Sequence, residues 1–160
     1  MATKASPFTK WAITAVTGDC AGDVIVNDYF IDLLAADIVL NDIIDIGILP
    51  ANHTVVDMFL IPDDLDTNGA PTLALDVGIM SGAPGDTISV RTCGNEFFAA
   101  DTSARTGVVA SMSKKDGFLV KPSAADRSIG VKFQAAAATA AAGRIRLRVK
   151  MAPASTEIQF

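Results

Sequence analysis

The sequence predicts an all-β protein: an antiparallel two-sheet β-sandwich, jelly-roll-like, with at most one or two short helices. Three observations predict it. Short apolar segments alternate with a period of two along most of the chain, clusters of Gly, Pro, Asn and Asp separate them, and no long stretch carries the 3.6-residue repeat of an amphipathic helix. About eight such segments in 160 residues suit a single two-layer domain, with a closed barrel as the alternative.

Residues 1–20 (MATKASPFTKWAITAVTGDC) form an expected N-terminal arm, rich in Thr, Ser and Ala and carrying isolated apolar anchors at Phe8 and Trp11. Its apolar part is too brief and mixed for a secretory leader, and an unexported, soluble chain is expected. The sandwich is expected over 21–152, with strand signals at 24–33 (VIVNDYFIDL), 38–40, 43–49 (IIDIGIL), 54–61 (TVVDMFLI), 72–79, 87–92 (TISVRT), 118–121, 129–134 (IGVKFQ) and 144–151 (RIRLRVKM). The segment 96–104 reads as a short helix ended before Gly107. The run AAAATAAAG at 135–143 is too short to hold a helix unaided and reads as a hairpin connection. A tail, 153–160, carries Ile158 and Phe160.

The last strand has the clearest pattern. Ile145, Leu147, Val149 and Met151 point one way, and Arg144, Arg146, Arg148 and Lys150 point the other. Four like charges on one strand face repel, so acids on neighbouring strands or on another subunit are expected opposite them. Asp42, Asp45, Asp57 and Asp76 are the natural counter-charges. The whole chain points the same way: residues 1–80 hold twelve acids and two lysines, a net of −10, and residues 81–160 a net of +5. Such an asymmetry serves either internal pairing or docking of copies. The overall charge of −5 argues against a nucleic-acid binder, and no segment has the roughly 20 apolar residues of a membrane span.

Asp64-x-Asp66-x-Asn68-Gly69 opens like a calcium loop, but the closing position, where that loop needs a bidentate Glu, is Leu75, and the residues beyond alternate as a strand. An Asx-type turn is expected, with no metal and no other cofactor. His53 is the single histidine, Cys93 has no activating base nearby in sequence, and Cys20 and Cys93 are expected as free thiols. No phosphate loop, nucleophile elbow or dinucleotide fingerprint occurs, and no catalytic residue is assigned.

Several segments, taken as a set, resemble a known group. "GILPA" before a strand, "DDLDTNGAPTLALDVG" at a turn, "DRSIGVK" and the alternating Arg-rich final strand resemble small structural proteins encoded near the major capsid gene of tailed bacteriophages, the head decoration or cement proteins. The resemblance covers roughly 36–151. It implies a β-sandwich on the capsid exterior that binds the major capsid protein and clamps adjacent capsomers. The residues alone suit an assembly component, a homo-oligomer (dimer or trimer) using Phe8, Trp11, Arg144, Arg146, Arg148, Lys150, Ile158 and Phe160 as interface. The alternative is a β-sandwich module that binds carbohydrate or a host surface, which requires exposed aromatics on one face.

Overall fold

The computed structural model describes residues 3–10, 23–88 and 90–154. Among these, nine strands form two sheets: β1 (Thr3–Ala5), β2 (Ile25–Leu33), β3 (Ile43–Leu49), β4 (His53–Pro62), β5 (Ala74–Ile79), β6 (Phe98–Asp101), β7 (Ala110–Ser111), β8 (Arg127–Ala135) and β9 (Gly143–Pro153). One sheet has the order β1-β3-β8-β5-β6 and the other β2-β9-β4-β7. All pairings are antiparallel except β1 with β3. With β1 set aside, β2-β9-β4-β7 against β3-β8-β5-β6 is the strand order of an eight-stranded jelly roll. The sandwich is therefore open, and the barrel alternative falls away. No helix among the described residues is long and apolar enough to cross a membrane.

The period-two residues build the core. Ile145, Leu147, Val149 and Met151 of β9 are fully buried, as is Tyr29, paired beside Leu147 on β2. A bulge between Val55 and Asp57 shifts the phase of β4, so that Val55, Met58 and Leu60 point inward while Asp57 turns outward to Lys150. Gly47 follows a second bulge in β3, and a Cβ there would lie 2.6 Å from the Tyr29 ring. The absent side chain lets the ring pack flat on β3, and its hydroxyl donates to the Ile48 carbonyl at 2.7 Å.

The first sheet is covered on its outer face along β3. All seven residues of β3 are buried, because the segment after β5 folds back over the outside of the sheet. Met80 and Cys93 bridge there and press against Gly130, where a Cβ would lie within 3.0 Å of both side chains. Arg91 of the same segment reaches Asp45 of β3. The outer face of the second sheet has no such cover among the described residues.

Of the N-terminal segment, residues 3–10 are described. β1 extends the first sheet, and Phe8, 7% exposed, closes the gap between the sheet edges, with its ring edge-on to Tyr29 and Phe30 at 5.2 and 5.4 Å. Four expected elements are corrected. Residues 38–40 follow a single 3-10 turn (Ala35–Asp37) and leave Val39 and Leu40 exposed without a partner strand. In 87–92, the described residues (87, 88 and 90–92) form no strand, and the Arg91 guanidinium donates to the carbonyls of Ser81 and Asp86. In 96–104, Phe97 and Phe98 are drawn into the core, and Phe98–Asp101 becomes β6 rather than a helix. In 118–121, Phe118 ends a single helical turn, α1 (Lys115–Phe118), and no strand forms. The alanine run does connect β8 to β9, but these strands lie in different sheets, so it is a crossing and not a hairpin.

Candidate interaction surface

The uncovered face of β2-β9-β4 carries the basic ladder, and register fixes its neighbours. Asp32 lies opposite Arg144, Phe30 opposite Arg146, Asp28 opposite Arg148 and Val26 opposite Lys150. From the other side, β4 places Ile61 against Arg146, Phe59 against Arg148 and Asp57 against Lys150.

Three rungs are neutralised within the chain. Arg144 donates from Nε and Nη2 to both oxygens of Asp32 at 2.7 and 2.9 Å, and Arg148 does the same to Asp28 at 2.8 and 2.9 Å. Lys150 donates to Asp57 at 3.0 Å. The bidentate hydrogen bonds hold Asp32 and Asp28 below the ordinary carboxylate range and raise both guanidinium groups. Arg144 also stacks over Phe30 at 4.6 Å, and Lys150 lies over Phe59 at 5.1 Å. Arg146 differs. It has no ion-pair partner within 4.0 Å among the described residues and sits half-buried between Phe30 and Ile61.

Of the expected counter-charges, Asp57 meets the ladder, whereas Asp45 and Asp76 bond elsewhere. Asp28 and Asp32, which alternate outward on β2, supply the others. Asp76 accepts the Ala100 N–H. Asp45 is buried on the opposite sheet, where its Oδ2 accepts from Arg91 Nη1 at 2.6 Å, Ser128 Oγ at 2.9 Å and the Gly85 N–H at 2.9 Å. Burial raises the Asp45 pKa and outweighs the lowering by these donors. The two halves of opposite charge thus meet inside the molecule as well as along β9.

The calcium-like loop is an internal staple. Asp66 is 1% exposed, and its carboxylate accepts the N–H groups of Thr72, Leu73, Ala138 and Thr139 at 2.8 to 3.1 Å. Burial of the carboxyl pushes its pKa up, but the four donors prevail and hold it well below the ordinary range. Asp64 Oδ1 accepts the Asp66 N–H, and Asn68 Oδ1 that of Ala70. Oxygens that a cation would need face backbone donors that tie the β4–β5 turn to the alanine-rich crossing.

Among the other sequence-stated residues, His53 opens β4, its Nδ1 2.8 Å from the Ala51 carbonyl. The Cys93 thiol is free and donates to the Gly94 carbonyl, and burial pushes its pKa up to about 12. Trp11, Cys20, Ile158 and Phe160 lie outside the described residues. Phe8 is spent on the chain's own core.

Comparison with solved structures decides the family. A chain from the capsid of Ralstonia phage GP4 matches over 96% of this chain and 99% of its own length, with 40% sequence identity and a TM-score of 0.93. The chain belongs to a family of bacteriophage capsid proteins. A chain of the cyanophage Pam1 capsid asymmetric unit matches over 88% of this chain and 91% of its own, at 25% identity and a TM-score of 0.66. The acid-stable capsid of Helicobacter pylori bacteriophage KHP30 supplies a third, at 12% identity and a TM-score of 0.54, which shares the fold. No protein-family model matches, and no curated protein matches.

Proposed function

We propose that this capsid-family chain is a structural virion protein that decorates the particle. It binds the outer surface of the shell built by the major capsid protein and stabilises contacts between capsomers, without enzymatic activity. The observation that carries this reading is the end-to-end match to a chain of the GP4 capsid.

The surface supports decoration over shell-building. A subunit that builds a closed shell needs apolar interfaces on several sides, whereas the large exposed apolar residues here fall singly or in pairs on separate segments of the chain, as at Leu34, Val108 with Val109, and Phe118 with Leu119, and the described part has one uncovered sheet face. A carbohydrate-binding reading has less support: Phe30 and Phe59 on that face are half-buried beneath Arg144 and Lys150, rather than open as a stacking platform.

The test is removal of the gene followed by add-back. Particles made without the protein are expected to assemble, to lose resistance to heat, and to regain it when purified protein is added. Failure to assemble assigns the protein to the shell itself.

A further inference from the structure

Asn68–Gly69 is the one Asn–Gly pair of the chain: the other asparagines, Asn27, Asn41, Asn52 and Asn95, precede Asp28, Asp42, His53 and Glu96. The pairing matters because an asparagine side chain is open to attack by the backbone nitrogen of the next residue, and only glycine leaves that nitrogen unshielded by a side chain. The pair stands at the tip of the β4–β5 turn, beyond the Asp66 staple. Residues 67–70 are exposed and outside any strand, and a Cβ on Gly69 would meet nothing within 4 Å. The Gly69 N–H has no hydrogen-bond partner among the described residues. The Asn68 carboxamide is held at both ends. Its Oδ1 accepts the Ala70 N–H at 2.9 Å, and its Nδ2 donates to Thr139 Oγ1 at 2.9 Å.

We infer that Asn68 is a modification site, at which the folded protein loses the side-chain amide through a succinimide formed with Gly69. Hydroxide or water takes the Gly69 N–H proton as the nitrogen attacks Asn68 Cγ. A new N–Cγ bond closes the ring, the Cγ–Nδ2 bond breaks, and the nitrogen leaves as ammonia with a proton from water. The charge that gathers on Oδ1 meanwhile falls on the Ala70 N–H, a donor already in place. Water then opens the ring. Opening at Cγ yields aspartate, and opening at the backbone carbonyl yields isoaspartate, in which the chain runs through the side chain. Water is the only co-reactant, and nothing is oxidised or reduced.

The comparable pair Asp116–Gly117 lacks this freedom, since the Gly117 N–H donates to the Lys114 carbonyl at 3.1 Å and a Cβ there would lie 2.7 Å from Met112. Either product at Asn68 adds a negative charge to a turn that already presents Asp63 and Asp64 to solvent. Isoaspartate also lengthens the backbone between Asp66 and Thr72, whose N–H the Asp66 carboxylate accepts, so the staple loosens. The β4–β5 turn thus carries a slow, water-driven change of charge and backbone length.

The experiment stores the purified protein at neutral and mildly alkaline pH, both folded and in urea. Ion exchange follows its charge, and peptide mapping with fragmentation separates aspartate from isoaspartate. Gly69→Ala, which has room for its methyl, and Asn68→Asp are run beside it. The expected result is a more acidic form that accumulates in the folded wild type, faster at higher pH, with conversion at Asn68 and the other asparagines intact. Gly69→Ala is expected to slow the conversion by more than about tenfold, and Asn68→Asp to carry the charge of the acidic form from the start. An Asn68 that converts in urea but stays intact in the folded protein overturns the inference, because the turn then protects it. Conversion spread over all the asparagines, or unchanged by Gly69→Ala, overturns it as well.

Discussion

Arg91 Nη1 lies 2.6 Å from Asp45 Oδ2, and both side chains are at most 2% exposed. The pair fastens the segment that covers the first sheet to β3, and Ser128 and Gly85 complete the donors around the carboxylate. Replacing one partner leaves a buried charge without compensation. Asp45→Asn or Arg91→Met is expected to destabilise the fold by about 3–5 kcal/mol, and the double variant by less than the two single losses combined. Urea denaturation of the three proteins measures this. Additive losses would mean that the pair does not act as a unit.

Asp66 acts as the acceptor for four N–H groups from two separate connections. Asp66→Ala leaves these donors buried and unmatched, and a loss of at least about 3 kcal/mol is expected from the desolvation penalty alone. The sign of its pH dependence follows from its lowered pKa. The unfolded state takes up the proton first as pH falls, so the stabilisation is complete above the ordinary Asp pKa of about 3.9 and is lost as pH falls towards the folded value. Asp45 works in the opposite direction: its raised pKa favours the folded state at low pH, and that benefit fades as pH rises through the folded value. Wild type and Asp66→Ala should therefore converge in stability under acid, which denaturation at several pH values below 5 would read.

Calcium should leave the protein's melting temperature unchanged, as should a chelator. The oxygens of the Asp64–Asn68 turn already accept backbone hydrogen bonds. A calcium-dependent rise of many degrees would show that the turn rearranges into a metal site.

Much of this fold was legible in the sequence because its signal is local. Alternation in 144–151 and 129–134 depends only on which side of a strand each residue faces, and both strands formed there. The elements that were misread depend on partners far away in the chain. TISVRT has strand composition, but Arg91 is held by Asp45, which lies 46 positions earlier. FFAADTSAR has helical composition, but burial of Phe97 and Phe98 against β5 overrides it. The ladder on β9 was visible as a pattern. Its neutralisation by Asp28 and Asp32 was not, because the pairing of β2 with β9 joins residues more than a hundred positions apart.

Phe8 should matter for stability before it matters for attachment. Its ring fills the edge of the sandwich against Tyr29 and Phe30, so Phe8→Ala is expected to cost about 3–5 kcal/mol in the isolated protein. A variant as stable as wild type would return this residue to the role of a free anchor.

Gly47→Ala should disturb the same region from the other side. The new methyl would overlap the Tyr29 ring, and a loss of about 1–3 kcal/mol is expected by overpacking. Tyr29→Ala removes the ring that the methyl would meet, so the losses of Gly47→Ala and Tyr29→Ala should not add.

The most direct test of the central claim is binding of the purified protein to particles assembled without it, followed by sedimentation and imaging of the bound particles. The account predicts saturable binding on the outer surface and a higher temperature for particle disruption. Absence of binding to intact particles, together with failure of shells to form when the protein is missing, would contradict it.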